Sequence, residues 1–536
     1  MLSNVSIAIA VGFYLCTPDF GHAQTSVTTD PVGLTTTSCL ANSDTYLGVP
    51  FTRPPEFVGT VRSVSGNTLT INGTPGWSNN QLVYAAGTQS KHYYVLLGTG
   101  GTGNPKEGHI YPIKGNGSNT VLLDTTFDNL TGLVANTQVL VIPYWTPATI
   151  FPVSDAGVSF TPTSSPPNYQ TLLRIPNYSA PGINQSYAAE YYFNDGTWQR
   201  ISPAGVGDDD PLLPDGYFVV RNANGAPTLP LTALGSVLMK KIAVPLLTSS
   251  TQQQDNAIVM VRPVAVSLDL TGLAPIDRSF DQGDQLLLFD NAQPGFDKIQ
   301  NGNYRSYVFN GGWRLASDPN TEHGSDLIAP GVAMLVRKAA YSGGSLSWAN
   351  WPTYLPAQGI RPQQVASRKT HQLAGSFTIS LPVVGNYAIE PRRGGTSGKD
   401  FEVVAIFPVP LASLTGASVT SPDNQAAMDA PVVTTASGHG TGTMSLHNVN
   451  NAQLLSINLS GASDGVNTAN FVVPMGVLLG DLNGGGFVDS ADVGLVQRQN
   501  GKSVAFANFR MDVNASGFID SADVGLVQRQ NGQRIH

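Results

Sequence analysis

Oxygen-bearing side chains recur at fixed spacing in two twelve-residue stretches near the C-terminus, Asp481 to Asp492 and Asp512 to Asp523, offset by 31 residues. Positions one, three, nine and twelve are Asp481, Asn483, Asp489 and Asp492 in the first stretch, and Asp512, Asn514, Asp520 and Asp523 in the second. Position six is glycine in both, Gly486 and Gly517, where a loop wrapping an ion needs an unusual backbone conformation. This is the ligand spacing of a calcium loop. Position seven supplies only a backbone carbonyl there, so Phe487 and Phe518 are free to be apolar. Position five is Gly485 in one loop and Ser516 in the other. With so few carboxylates the expected affinity falls in the range of extracellular modules, roughly 0.1 to 1 mM. Val488 and Ile519 stand where two loops could pair back to back, and the bland alternative is a pair of Asp-Gly-rich turns without metal.

After each loop an identical string follows, Asp489 to Gly501 and Asp520 to Gly532. It predicts a short helix with an Asp N-cap, a second Asp three residues on that favours the helix dipole, and an Asn-Gly C-terminal stop. The segment from Gly480 to Gly532 resembles a type I dockerin, the duplicated module that docks secreted proteins onto cohesin domains. The resemblance covers about a tenth of the chain. It implies two calcium ions and a cohesin-like partner, met by Ser490, Ala491, Gln497 and Arg498 or by Ser521, Ala522, Gln528 and Arg529.

The elements before the doublet read as β. Only 12% of residues are charged, 57 are Gly and 37 Pro, and only six of the 36 acidic residues are Glu, a turn-rich composition that disfavours long helices. Two central segments echo each other at an offset of about 115: Gln170 to Asn177 with Asp284 to Asn291, Tyr191 to Trp198 with Tyr307 to Trp313, and Gly216 to Arg221 with Gly331 to Arg337. Each Tyr-x-Phe-Asn-turn-Trp run predicts a hairpin. The segment Gly48 to Pro54 aligns with Ala257 to Pro263, whereas Pro143 aligns with the same Pro263, so an insertion splits the first copy. Inside it Val58 to Ile71 alternates around Gly66-Asn67, as in a hairpin of a small barrel.

The expected fold is mainly β and multidomain. Residues 1–23 read as a signal peptide, 24–54 plus 143–222 as a first β repeat unit and 55–142 as an inserted small β-barrel. A second β repeat unit spans 223–345, a linker 346–371, an immunoglobulin-like β-sandwich 372–476 and the small α-helical, calcium-binding, dockerin-like module 480–536. This order resembles secreted proteins of verrucomicrobial genomes that end in the same sandwich and doublet, a family that supplies no activity.

The apolar run Val5 to Cys16, followed by Gly21-His22-Ala23, implies secretion, and it is too short to span a membrane. Cleavage after Ala23 leaves Cys39 alone, without a disulfide partner. A net charge of -8 argues against nucleic acid.

Catalytic patterns are weak. The eight His are scattered, no Gly-x-Ser-x-Gly elbow occurs, and Gly98 to Gly103 and Gly438 to Thr443 read as loops without a P-loop ending. Glu190, Asp208 to Asp210, Asp215 and Glu322 could in principle supply the carboxylate pair of a glycoside hydrolase. Tyr93, Tyr94, Tyr144, Trp145, Tyr191, Tyr192, Trp198, Trp313, Trp348 and Trp351 could stack on sugar rings, or could be core. The reading leans away from an enzyme. It gives a secreted, extracellular or cell-surface protein for assembly or adhesion, with polysaccharide as a second candidate partner. The alternative is a polysaccharide-degrading component with an unrecognised carboxylate pair.

Overall fold

A computed structural model describes residues 31–100, 104–151, 160–344, 346–355, 359–395, 397–436 and 438–535. The signal peptide expected at 1–23 lies outside them. The chain is mainly β, and among the described residues no helix is long and apolar enough to cross a membrane.

The echoed segments form two sheets with one strand order. In the first the order is Gly205–Val206, Thr197–Arg200, Tyr187–Asn194, Thr171–Pro176, Phe218–Asn222, Ser43–Leu47. In the second it is Trp313–Leu315, Tyr304–Phe309, Gln285–Phe289, Ala333–Lys338, Gln254–Val259. Tight turns with positive φ at Asp195 and Gly196, and at Gly311 and Gly312, deliver Trp198 and Trp313 to fully buried sites. Each copy also pairs its first and last strands: Val32–Cys39 with Leu229–Ser236, and Ile242–Leu246 with Leu346–Asn350. The boundaries expected at 222 and 345 therefore need correction, because each cuts off a strand that hydrogen-bonds to the start of its own copy. Such pairing spans more than a hundred residues and leaves no local spacing signal.

The copies hold each other reciprocally. Asp44 donates its N–H to Gly295 O at 2.9 Å while its carboxylate accepts from Asp297 N at 2.7 Å. Asp255 donates to Gly182 O at 3.0 Å and accepts from Asn184 N at 2.7 Å. Each Asp faces an arginine across its own sheet, Arg221 and Arg337. Between the sheets Tyr46, Tyr217 and Val219 of one copy pack with Ala257, Leu287, Phe289 and Leu335 of the other.

The strands from Phe57 to Pro143 close into a six-stranded barrel. Its period-two pattern serves two cores at once. Tyr93, Val95, Leu97, Val139 and Val141 fill the barrel, while Tyr94, Leu96, Leu140 and Ile142 point outward and join Ile242, Val244, Ile258 and Trp348 of the second copy.

Two further sheets enclose the next core, built on Val365, Val403, Phe407, Met444, Ile457 and Val473. The linker expected at 346–371 is corrected here: Gln364–Thr370 is an inner strand, paired on both sides. Its polar composition misled, because Gln364 and Ser367 are buried with their own partners, Ser380 Oγ at 2.7 Å and Glu390 Oε2 at 2.5 Å. Gly438 to Thr443 is likewise no loop, for all but Gly438 lie in the strand His439–His447. A Cβ at Gly440 or Gly442 would stand 2.6 and 2.5 Å from Leu411 and Leu414, so these glycines serve close packing. The other glycine-rich run, Gly98 to Gly103, lies partly outside the described residues.

Candidate metal centre and docking face

Each C-terminal loop gathers two carboxylates that no solvent reaches, Asp481 with Asp492 and Asp512 with Asp523. Backbone N–H groups hold them. Asp481 Oδ1 accepts from Gly484 N and Gly485 N at 2.9 and 3.0 Å, and its Oδ2 from Gly486 N at 2.8 Å. Asp492 Oδ1 accepts from Leu482 N and Asn483 N, and its Oδ2 from Asp489 N at 3.0 Å. The second loop repeats this, with Gly517 N on Asp512 Oδ2 and Asp520 N on Asp523 Oδ2. Gly486 and Gly517 adopt φ of +85° and +88°, as position six requires.

Burial raises the Asp481 carboxyl above its ordinary range, and the charge of Asp492 adds to the rise against the backbone donors. Asp523 is raised in the same way, chiefly by burial. Among the described residues no cationic side chain pairs with Asp481, Asp492 or Asp523. Also among them, no three His, Cys, Asp or Glu side chains gather as a metal site. Two carboxylates per loop, with Asn483 or Asn514 and the carbonyls of Phe487 or Phe518 as further oxygens, is nevertheless a donor set that suits a hard cation. Ser516 Oγ donates to Phe518 O at 3.0 Å, and Gly485 has no side chain to offer. Asp489 and Asp520 serve as N-caps, each accepting from the N–H two residues on at 2.7 Å and completing a capping box with Asp492 or Asp523.

The helices run Ser490–Gln499 and Ser521–Gln530 and bury Val496 and Val527. Val488 and Ile519 are buried, but they do not pair back to back. Gly501 N donates to Ile519 O at 2.7 Å and Gly532 N to Val488 O at 2.9 Å, so each loop binds the segment that follows the other repeat's helix.

The sandwich holds the doublet on a different side from the expected docking faces. Ile379, Ile389 and Leu478 share a core with Leu482, Phe509, Val513 and Val527. A buried polar chain crosses the same boundary: Glu390 takes Arg392 in a two-pronged pair at 2.7 Å, Arg392 Nη1 meets His371 Nε2 at 3.1 Å, and His371 Nδ1 meets Asp512 at 2.8 Å. With Arg392 donating to Nε2, the proton sits on Nδ1 and is given to Asp512. Ser490, Ala491, Gln497 and Arg498 remain exposed, as do Ser521, Ala522, Gln528 and Arg529. The sequence held no sign of the His371 link, since His371 lies 141 residues before Asp512.

Most of the aromatics considered as sugar platforms are core. Tyr93, Tyr94, Tyr144, Tyr191, Trp198, Trp313 and Trp348 are buried, and Tyr192, Trp145 and Trp351 only partly exposed. The scattered carboxylates have structural partners as well: Glu190 pairs with Arg174, Asp210 with Arg200, Glu322 with Arg314, and Asp208 accepts from Trp198 N. Asp209 is raised by burial and by Asp208 beside it.

No protein-family model matches the chain, and no curated protein matches it. Among solved structures it is similar to surface layer protein SbsC, domains 1–6, at 11% identity and a TM-score of 0.12, over 80% of this chain and 54% of that one. The chain thus spans about half the length of that structure, and a likeness at this level carries no argument.

Proposed function

We propose that the C-terminal doublet binds two calcium ions, one per loop, and in that state docks the chain onto a cohesin-like domain in extracellular assembly or adhesion. One observation carries the reading: Asp481 and Asp492 are buried together, held by backbone N–H groups and, among the described residues, paired with no cationic side chain, an arrangement that leaves two carboxylates to be desolvated side by side. A divalent ion would neutralise both. The exposed, identical faces at Ser490, Ala491, Gln497 and Arg498 and at Ser521, Ala522, Gln528 and Arg529 support docking through either helix. Among the described residues Glu190, Asp210 and Glu322 are held in ion pairs and Asp208 by a backbone N–H, which favours a scaffolding role over the polysaccharide-degrading alternative.

Calorimetric titration of the full chain with calcium should give two sites, both lost in the double variant D481A/D512A. A type I cohesin domain should then bind in calcium and release in chelator. The variants A491E/R498E and A522E/R529E should each bind, and their combination should not. Calcium heats unchanged in D481A/D512A would sink the metal reading. A single-face variant as crippled as the combined one would sink the either-face reading.

A further inference from the structure

A cleft of about 610 Å³ opens where the second repeat, the sandwich and the doublet meet. Its walls include Arg278, Gln282 and Tyr341 from the second repeat, Tyr387 from the sandwich, and Phe506 and Arg510 from the doublet. Arg510 is the unusual member. It is partly buried, and among the described residues it makes no hydrogen bond or ion pair, although Glu390, Asp281 and Asp481 lie near enough to act on it through space. Those three carboxylates are already engaged, Glu390 by Arg392, Asp281 by Arg278 and Asp481 by backbone N–H groups. A guanidinium left over in a concave site is a fork of donors shaped for a carboxylate.

The rest of the wall suits a ring with hydroxyls. Phe506 is 36% exposed and Tyr387 partly exposed, so both can offer faces to a pyranose. The side chains of Ser342 and Asn386 add neutral donors and acceptors around the same space. The volume accommodates one or two sugar rings. We infer that this cleft binds an acidic sugar, a uronate whose carboxylate pairs with Arg510 and whose ring rests against Phe506 and Tyr387.

The test is calorimetry of the full chain, in calcium, with digalacturonate and with the neutral disaccharide of galactose, each corrected for calcium–sugar heats. Binding of the uronate should weaken at least tenfold in R510Q and in S342W, which fills the cleft from the second-repeat side, while the neutral sugar should bind at least tenfold more weakly than the uronate. Unchanged calcium heats in both variants would establish that the doublet is intact. The inference is overturned if the uronate gives no heat, if neutral and acidic sugars bind alike, or if R510Q binds as wild type does, since contact through loop calcium alone would survive that change.

Discussion

The molecule contains two duplications that were kept by different constraints. In the doublet, the thirteen residues 489–501 and 520–532, from the end of each loop through its helix, are identical, and the identity extends to exposed positions such as Gln497 and Gln528. In the repeat units only a few positions match, yet strand order, terminal strand pairing and the reciprocal hold of Asp44 and Asp255 are all retained. A core accepts many residues of suitable size, whereas a metal loop or a recognition face accepts few. Where buried partners set the constraint, geometry outlasts sequence. On the proposed reading, in which metal and an outside partner constrain the doublet, sequence is the thing preserved.

The largest expected effect probes the equivalence of the two buried aspartates. Each lies at full burial beside an arginine, but the arginines differ in what they would have left. Arg221 also reaches Asp297 at 2.5 Å, whereas Arg337 otherwise meets, among the described residues, only Asn184 Oδ1 at 3.2 Å. Removing one partner of a buried pair costs about 3–5 kcal/mol. Asp255→Ala should fall at the upper end of that range and Asp44→Ala at the lower, read as shifts of the denaturation midpoint followed by fluorescence of Trp198 and Trp313. Equal losses would mean that Asp297 contributes nothing and that the two holds are energetically the same.

A smaller effect comes from a place where the copies differ. Val259 N donates to Asp215 O at 3.0 Å, and its counterpart Gly48 N donates to Gly331 O at 2.9 Å, so an acid in one crossing stands opposite a glycine in the other. Asp215 borders a largely apolar cavity of about 150 Å³ with Phe127, Tyr178, Val244 and Ile258, and burial pushes its carboxyl up to about 6. The folded state therefore holds the proton more tightly than the unfolded chain. The stability this confers is complete below the unfolded value near 4 and is lost as pH rises through about 6. Asp215→Asn should be more stable than wild type by about 1–2 kcal/mol at pH 8, with the gap gone by pH 4. A gap independent of pH would assign the effect to packing instead.

What could be read in advance follows the same division. The loop turns, the Asp caps and the turn glycines were legible because each is dictated by atoms within a dozen residues. The hairpins ending in Trp198 and Trp313 and the barrel hairpin at Gly66 were legible for the same local reason. The strand Gln364–Thr370 was not, since its buried Gln364 and Ser367 hydrogen-bond to Ser380 and Glu390 and give no apolar alternation. The attachment of the doublet through Glu390, Arg392 and His371, and the cleft around Arg510, arise from segments brought together over 100 residues or more, which spacing does not encode.

The smallest effect tests whether the two loops share one backbone. Position four is left-handed in both, as Gly484 at φ +74° and as Ala515 at φ +58°. A Cβ in that region costs about 1–2 kcal/mol, whereas glycine gives back about 0.5–1 kcal/mol through the greater freedom of the unfolded chain. Ala515→Gly should therefore stabilise the doublet by about 0.5–1 kcal/mol, and Gly484→Ala should destabilise it by a similar amount. Both are read from the calcium-dependent thermal transition of the full chain, with calorimetry to follow each site's affinity. If the loops bind calcium as proposed, site number should stay at two, since neither side chain is a ligand, while the midpoint moves in opposite directions. If Ala515→Gly lowers the midpoint and Gly484→Ala leaves it unchanged, the second loop is not a copy of the first in its backbone, and the identity of the following helices has a cause other than a shared loop geometry.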